Sequence, residues 1–474
     1  MDILRLPIAG AILRWRHLRS TLQAVLLAVA VAVVCHGLFA PQIAPRNLST
    51  VLTSIHWRGL LVIAVLVAGN VFCTACPMML VRDAGRRLMP PRFTWPRALR
   101  SKWLGLTLLV LILYSYELFD VWDRPAATAG IVLGYFALAL LIDLLFKGAS
   151  FCKHVCPIGQ FNFMSSTIAP TEIVARDLQT CQQCRTYDCI KGQRSRTEPL
   201  RVIRRGCELG LFLPSKTGNL DCTLCLDCVQ ACPHDNVALV TRVPGAELLE
   251  LRRRSGIGRL AERPDIAALA VVFTFAALIN AFAMTRPAFA LEQRLASTFH
   301  LTSEAAVLAL VFACALVVVP AILLGSAAAI TRLLTDGDRL GSSATAARFA
   351  LALVPFGLGV WLAHYGFHLL TGLLTIVPVA QSAVIDLVGW AAWGEPAWTW
   401  VGVPPGAVYP IQLGVTLLGA CGSAALAYAI SVRDYPRRAT VASIPWLIVV
   451  ALLAAAALWI LGQPMEMRGL GGIA

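Results

Sequence analysis

Long apolar runs alternate with short polar or basic segments along most of this chain. Nine of these runs approach the roughly 20 residues that a helix needs to cross a bilayer, so each one predicts a spanning helix. They occupy residues 21–39, 58–73, 103–119, 128–146, 265–284, 304–325, 349–370, 409–431 and 441–461. The pattern therefore predicts an all-α polytopic membrane protein with about nine transmembrane helices.

Composition and charge add an orientation to this picture. Hydrophobic residues make up 58% of the chain and charged residues 14%. If the N-terminus is cytoplasmic, the segments on that side hold 34 of the 40 Lys and Arg residues, as the positive-inside bias requires. We therefore predict a bacterial inner-membrane protein with its N-terminus and the segment 147–264 in the cytoplasm and its C-terminus outside. The net charge of +14 then reflects topology within the lipid bilayer, and no nucleic-acid partner is expected.

The long polar segment carries the most specific motif in the chain. Eight of the fifteen cysteines lie between Cys181 and Cys232, and the second half of this stretch reads Cys222-x2-Cys225-x2-Cys228-x3-Cys232-Pro. In bacterial iron–sulfur proteins the first three cysteines of such a run hold one cluster, and the fourth ligates the other cluster. The motif therefore predicts two 4Fe–4S clusters.

Each predicted cluster needs four cysteine ligands, so the eight cysteines are divided into two sets of four. The first cysteine set consists of Cys181, Cys184, Cys189 and Cys232, and the second of Cys207, Cys222, Cys225 and Cys228. Which of Cys189 and Cys207 crosses over is left open by the spacing. Two zinc sites are the main alternative, because C-x2-C pairs also bind zinc. A disulfide framework is disfavoured by the reducing cytoplasm.

Three domains follow from these features. Residues 1–149 are predicted to form an N-terminal four-helix membrane module. Residues 150–264 are predicted to form a small cytoplasmic α+β ferredoxin-like domain with two 4Fe–4S clusters. Residues 265–474 are predicted to form a C-terminal five-helix membrane module.

Two further cysteine pairs stand where predicted helices leave the membrane on the cytoplasmic side. They read Cys73-x2-Cys76-Pro and Cys152-x3-Cys156-Pro, and these four residues are called the membrane-edge cysteines below. Four thiols at one depth are suited to a third iron–sulfur cluster, to a soft metal such as Cu(I), or to a redox-active dithiol. The plainer alternative is four small buried side chains.

The second of these pairs, followed by x-Gly159 and standing just before the cysteine-rich segment, resembles the membrane polyferredoxins of the NapH/NosR type. That family is similar in turn to the cytochrome-oxidase accessory polyferredoxins. The resemblance covers about residues 55–240 and leaves out the five C-terminal helices. It implies two 4Fe–4S clusters and electron transfer between a membrane or cytoplasmic donor and an extracytoplasmic enzyme or metal centre. The chain departs from the family in the shorter spacing of its first pair and in its irregular 181–207 half.

A histidine pair in the seventh predicted helix is a separate candidate. His364 and His368 are four residues apart and so share one helix face. Such a pair can chelate a metal, ligate a haem b or contact a quinone head group, and ionisable residues inside a membrane are functional candidates. The alternative is that both are ordinary hydrogen-bonded side chains.

The function predicted from these residues is that of a membrane-bound iron–sulfur protein. It would pass single electrons between a cytoplasmic or quinone donor and a redox partner at the outer face, as a component of a redox complex rather than a stand-alone enzyme. The alternative is an accessory factor for the reduction, uptake or insertion of Cu or Fe into another protein. A redox sensor is less favoured because no output domain is recognisable. The chain has no P-loop, C-x-x-C-H or G-x-G-x-x-G motif, which argues against ATP-driven transport, attached c-type haem and direct nicotinamide chemistry.

Overall fold

The computed structural model describes residues 1–195, 202–335 and 340–465, and most of them are helical. Eight helices in this part of the chain are long and apolar enough to cross a membrane. They are Leu18–Phe39, Leu48–Ala68, Pro125–Leu145, Pro264–Phe282, Glu304–Leu334, Ser342–Thr371, Pro405–Asp434 and Ala439–Leu461. The predicted helical, polytopic architecture is thus observed, and it indicates an integral membrane protein.

Two predicted spans differ from the helices that form. The run 103–119 forms the 16-residue helix Trp103–Leu118, which is shorter than the other spans. The run 58–73 is displaced, because its helix ends at Ala68 and is followed by Gly69 in the left-handed region at φ +85°. Glycine adopts that conformation without the steric cost other residues carry. Cys73 therefore lies on a separate short helix, Val71–Ala75.

The chain divides into two compact units. The first comprises Met1–Ala30, Ala64–Gly105 and Gly134–Arg263. Besides parts of the long apolar helices, it contains the shorter helices Pro7–Leu13, Val71–Ala75, Met78–Leu88, Pro157–Ser165, Leu178–Gln183, Asp188–Lys191 and Asp227–Ala231. Strand Thr171–Ala175 pairs antiparallel with Val237–Thr241, and Gln193–Arg194 pairs with Val202–Arg204.

The core of the first unit forms around the Thr171–Ala175 and Val237–Thr241 strand pair. Its buried members are aliphatic: Leu4, Ile173, Leu213, Leu224, Leu226, Val229, Val237 and Leu239. Cys222, Cys228 and Cys232 pack against this cluster. Burial of aliphatic side chains stabilises the fold by about 25 cal/mol per Å² removed from water, so the cysteine motif is anchored by the core itself.

The second unit comprises Val31–Ile63, Leu106–Leu133 and Pro264–Ala474. It adds the helices Arg286–Thr298 and Ile376–Val388 to the apolar helices above. The helices that contain Gly359 and Gly419 approach closely, because a Cβ on Gly359 would lie 3.2 Å from the Cα of Gly419. Small residues commonly permit such close helix contacts in membranes. The buried Trp361 indole also donates a 2.8 Å hydrogen bond to the carbonyl of Phe273.

Candidate functional site

All twelve cysteines singled out by the motifs lie in the first unit. The fold brings most of them into two places, although they are spread over 160 positions of sequence. One place gathers the first cysteine set. The other gathers the membrane-edge cysteines with Cys207 and Cys225 of the second cysteine set.

The first cysteine set lines one small cavity of about 20 Å³. Asn236 joins the two motifs that contribute to it: its side-chain amide donates to Sγ of Cys181 at 3.3 Å, and its backbone N–H donates to Sγ of Cys232 at 3.4 Å. Asp177 caps the helix of Cys181 by accepting from the backbone N–H of Thr180 at 2.7 Å, which is a favoured capping interaction. Polar groups of Asn236 thus orient the sulfurs of Cys181 and Cys232.

The irregular spacing between Cys189 and Cys207 has a structural cause. The antiparallel strands Gln193–Arg194 and Val202–Arg204 reverse the chain between them. As a result the backbone N–H of Cys207 donates to the carbonyl of Cys189 at 2.8 Å. The two residues are neighbours even though seventeen residues intervene, and each stands at the boundary between the two cysteine sets.

The loop of the second cysteine set has an unusual backbone. Asp221, Leu224 and Leu226 all lie in the left-handed region, with φ between 51° and 62°. Non-glycine residues rarely adopt this conformation, and it concentrates at functional sites. Because Leu224 and Leu226 are held in the core, the chain must turn sharply at each of them.

Polar contacts fix this loop against the membrane-edge motifs. Asn70 donates to the carbonyl of Cys222 at 3.2 Å, and the Thr74 hydroxyl lies 2.9 Å from the carbonyls of Thr223 and Leu224. A buried Lys102 pairs with Asp221, the residue before Cys222. A residue on each side of Cys73 therefore holds the backbone that carries the second cysteine set.

Lys102 also reaches the other membrane-edge pair. Its ammonium donates to the carbonyl of Lys153 at 3.1 Å, next to Cys152. A buried charge is costly unless it is paired, and here Asp221 supplies the pairing. One side chain thus ties Asp221 to the Cys152 segment.

The membrane-edge cysteines line a second cavity, of about 50 Å³, which we call the thiol cavity. Its sulfur-containing lining residues are Cys73, Cys76, Cys152, Cys156, Cys207, Cys225, Met78 and Met79. Sγ of Cys152 lies 3.7 Å from Sδ of Met79. The cavity therefore combines the membrane-edge thiols, two thioethers and two members of the second cysteine set.

Donors also point at sulfurs of this cavity. The backbone N–H of Gly159 donates to Sγ of Cys156 at 3.2 Å, and the Asn162 amide donates to Sγ of Cys73 at 3.7 Å. A Cβ on Gly159 would lie 3.0 Å from the carbonyl of Cys152, which explains glycine at that position. Donors of this kind tune sulfur ligands and the metals they bind.

Burial sets the protonation of the membrane-edge thiols. It raises the pKa of Cys73 to about 12, and it also raises the pKa of Cys152 and of Cys156. Burial therefore favours the neutral thiol over the thiolate at these positions. Since thiolates are the metal-binding form, metal binding here must release protons. In the first cysteine set, the backbone N–H of Tyr187 instead lowers the pKa of the more exposed Cys184.

A buried charge network stands beside the thiol cavity. The guanidinium of Arg82, whose side chain is 1% exposed, lies 2.6 Å from Asp83, 2.8 Å from Glu208 and 3.6 Å from Asp143. Asp143 in turn accepts from the backbone N–H of Phe151 at 2.9 Å, just before Cys152. Arg82 thus connects three carboxylates around the residues that flank Cys152 and Cys207.

The donor chemistry of both places fits iron–sulfur clusters. Among residues 1–195, 202–335 and 340–465, no three His, Cys, Asp or Glu side chains converge closely enough to form a finished metal site. Cysteine sulfurs nevertheless line each cavity, and backbone N–H groups donate hydrogen bonds to some of these sulfurs. Cysteine thiolates with such hydrogen bonds are the ligands that iron–sulfur clusters take.

The histidine pair lies in the second unit on the predicted helix. His364 and His368 have ring centroids 5.0 Å apart with nearly perpendicular planes. Within the part of the chain that the structure describes, the Nε2 atoms of both rings are buried without a hydrogen-bond partner. Arg58 lies nearby, with its guanidinium 5.5 Å from the ring of Tyr365, the residue after His364. A metal, haem or quinone role for the pair stays a prediction.

Sequence reasoning missed several residues that shape the sites. They are Asn70, Thr74, Met79, Arg82, Lys102, Asn162 and Asn236. Met79 offered a local signal, because it lies three residues after Cys76 in a Cys-Pro-Met-Met segment. The others act across long stretches of chain, so their role becomes visible only in the fold.

The apolar helices and the cysteine sets resemble what is expected of ferredoxin-type membrane proteins. Comparison with curated proteins confirms the resemblance to the NapH/NosR type. The ferredoxin-type protein NapH of Escherichia coli is 28% identical over 210 residues, which are 40% of this chain and 69% of NapH. The regulatory protein NosR of Pseudomonas aeruginosa is 27% identical over 228 residues, which are 44% of this chain and 30% of NosR.

A third curated protein is also similar to this chain. The methylamine utilization ferredoxin-type protein MauN of Methylobacillus flagellatus is 26% identical over 139 residues, which are 27% of this chain and 48% of MauN. The match to NosR and to MauN thus spans less than half of each protein. No family model and no solved structure matches the chain. Two of these three relatives, NapH and MauN, are named ferredoxin-type proteins.

Proposed function

We propose that this protein is a membrane-bound iron–sulfur electron carrier. The first and second cysteine sets would each hold one 4Fe–4S cluster, within a cytoplasmic domain at residues 150–264. Electrons would pass between a cytoplasmic or quinone donor and a redox partner at the outer face. Iron–sulfur clusters supply one-electron carriers at potentials that the surrounding protein adjusts.

The observation that carries the proposal is the thiol cavity. Cys207 and Cys225 of the second cysteine set line it together with the membrane-edge cysteines. The protein's own part is to bind and orient. Thr74 and Lys102 hold the loop that bears the second set, while buried apolar side chains exclude water from it.

The test is to measure iron and acid-labile sulfide per chain in anaerobically purified protein, with electron paramagnetic resonance of the reduced sample. We expect about eight irons and the spectrum of two interacting cubane clusters. About twelve irons would indicate a third cluster at the membrane-edge cysteines. Zinc with little iron would overturn the proposal.

Handling of a soft metal is a second candidate function. It is favoured by the Met79 thioether beside Cys152, because thiolate and thioether together suit Cu(I). Copper measured in the same preparations separates the two functions. Replacing Cys73 and Cys76 with serine should abolish electron transfer without loss of copper if these thiols only relay electrons. Loss of bound copper would favour metal handling, with the isolated Cys314 and Cys421 replaced by serine as the control.

A further inference from the structure

The first unit also contains a large cleft that is lined by arginines and, among the residues that the structure describes, by no cysteine. It encloses about 640 Å³ and is lined by five arginines, Arg16, Arg19, Arg87, Arg204 and Arg205, together with residues that include Asp83 and Asp227. We call it the basic cleft. Its volume lies in the range of small-molecule sites, which are about 300 to 1,000 Å³.

The charges of the basic cleft do not cancel. Asp227 is paired with Arg19, and Asp83 is paired with Arg205 and with the buried Arg82. In the part of the chain that the structure describes, the three remaining arginines pair with no carboxylate. These are Arg16, Arg87 and Arg204, of which Arg204 donates to the carbonyl of Gln230. The cleft therefore presents three uncompensated positive charges.

The position of the basic cleft indicates which class of ligand it could bind. Ser20 and Gln23 in its lining belong to the apolar helix Leu18–Phe39, and Leu80 and Ala84 belong to the helix Met78–Leu88. The cleft thus opens at one end of a candidate membrane span, which is the depth of lipid head groups. Basic pockets at that level bind anionic phospholipid head groups.

We propose that the basic cleft binds a phosphate-bearing anion. Guanidinium groups match phosphate oxygens in a bidentate fork and remain charged at all accessible pH values. The cleft's room beyond the arginines suits a phosphate ester, and the neighbouring span favours the head group of an anionic phospholipid as its source. Binding of the anion would not require iron–sulfur clusters.

The cleft is also connected to the redox residues through Arg19. This side chain lines both the basic cleft and the thiol cavity, where it shares the lining with Cys76 and Cys225. An anion in the cleft would therefore lie against the same guanidinium that faces the cysteines. For this reason Arg19 is left unchanged in the test.

The test titrates full-length protein in neutral detergent with three probes. These are short-chain phosphatidylglycerol, short-chain phosphatidylcholine and inorganic phosphate, and binding is followed by calorimetry. In the variant with Arg16→Gln and Arg87→Gln we expect binding of the anionic probe to weaken about tenfold or more, since each basic residue near a membrane surface adds appreciable affinity. The control is Arg252→Gln with Arg253→Gln, two exposed arginines outside the cleft.

The probes separate the sources of the ligand. Binding of phosphatidylglycerol without binding of phosphate identifies a lipid head group, and phosphate binding at least as tight identifies a soluble phosphate compound. Both outcomes support the cleft, provided that Arg16→Lys with Arg87→Lys retains more affinity than the glutamine variant. Equal affinity of the cleft variant and the control variant for every probe would overturn the proposal, as would failure of the unmodified protein to bind either anion.

Discussion

Replacing Arg82 with leucine is expected to lower the free energy of unfolding by about 3 to 5 kcal/mol. The Arg82 side chain is 1% exposed and faces Asp83, Asp143 and Glu208. Although burial favours the neutral acid, Arg82 and Arg205 hold the pKa of Asp83 below its usual value. Leucine would leave this carboxylate and its neighbours without their central cation in a poorly solvated place.

The measurement is equilibrium unfolding of the purified protein in mixed micelles. Arg92→Leu is the matched control, because Arg92 is exposed and surface changes usually stay within about 0.5 kcal/mol. Adding Asp143→Asn and Glu208→Gln to Arg82→Leu should restore part of the lost stability, since it removes the unpaired charges. If Arg82→Leu proved as stable as Arg92→Leu, the charge network would not have the structural role assigned to it.

The helical part of the fold could be read from the sequence because it depends on local pattern. Apolar runs near the thickness of a bilayer have few alternatives to helix, since every backbone polar group must be satisfied internally. The predicted helix boundaries are wrong where a single residue determines the end of a helix. Gly69 ends one helix five residues before the predicted boundary, and this moves Cys73 onto a helix of its own.

The cysteine motifs were visible for the same local reason, but their arrangement was not. The spacing of Cys189 and Cys207 looked irregular because a strand pair returns the chain between them. The residues that orient the sulfurs are remote in sequence: Asn236 is 55 positions from Cys181, and Thr74 is about 150 positions from the loop it holds. Such contacts follow from the packing of the unit and leave no periodic signal.

The Arg82 network shows the same limit. Glu208 is 126 positions from Arg82, and nothing in the local pattern marks Arg82 as buried or Glu208 as its partner. A basic residue near a predicted cytoplasmic membrane edge is ordinarily a topology signal. The structure instead buries Arg82 beside three carboxylates, whereas Arg16 and Arg87 keep the exposed position that the bias predicts.

The two cluster sets proposed here are expected to lose iron independently. Cys189→Ser should remove about four of about eight irons, and Cys207→Ser should remove the other four, because the two residues belong to different sets. The geometry behind this expectation is that Cys189 lines the small cavity with Cys181 and Cys232, whereas Cys207 lines the thiol cavity with Cys225.

Double variants test which cysteines belong to the same cluster. Cys189→Ser with Cys181→Ser should lose no more iron than Cys189→Ser alone, since both changes affect one cluster. Cys189→Ser with Cys207→Ser should lose nearly all of it. Iron, sulfide and the paramagnetic spectrum are measured for each variant, with Cys35→Ser as the control for a cysteine outside both sets. If Cys181→Ser instead adds to Cys189→Ser but not to Cys207→Ser, the crossing ligands are exchanged. Cys189 would then belong with Cys222, Cys225 and Cys228, and Cys207 with Cys181, Cys184 and Cys232. The backbone hydrogen bond between Cys189 and Cys207 keeps the two residues adjacent, so each would still lie next to the other cluster.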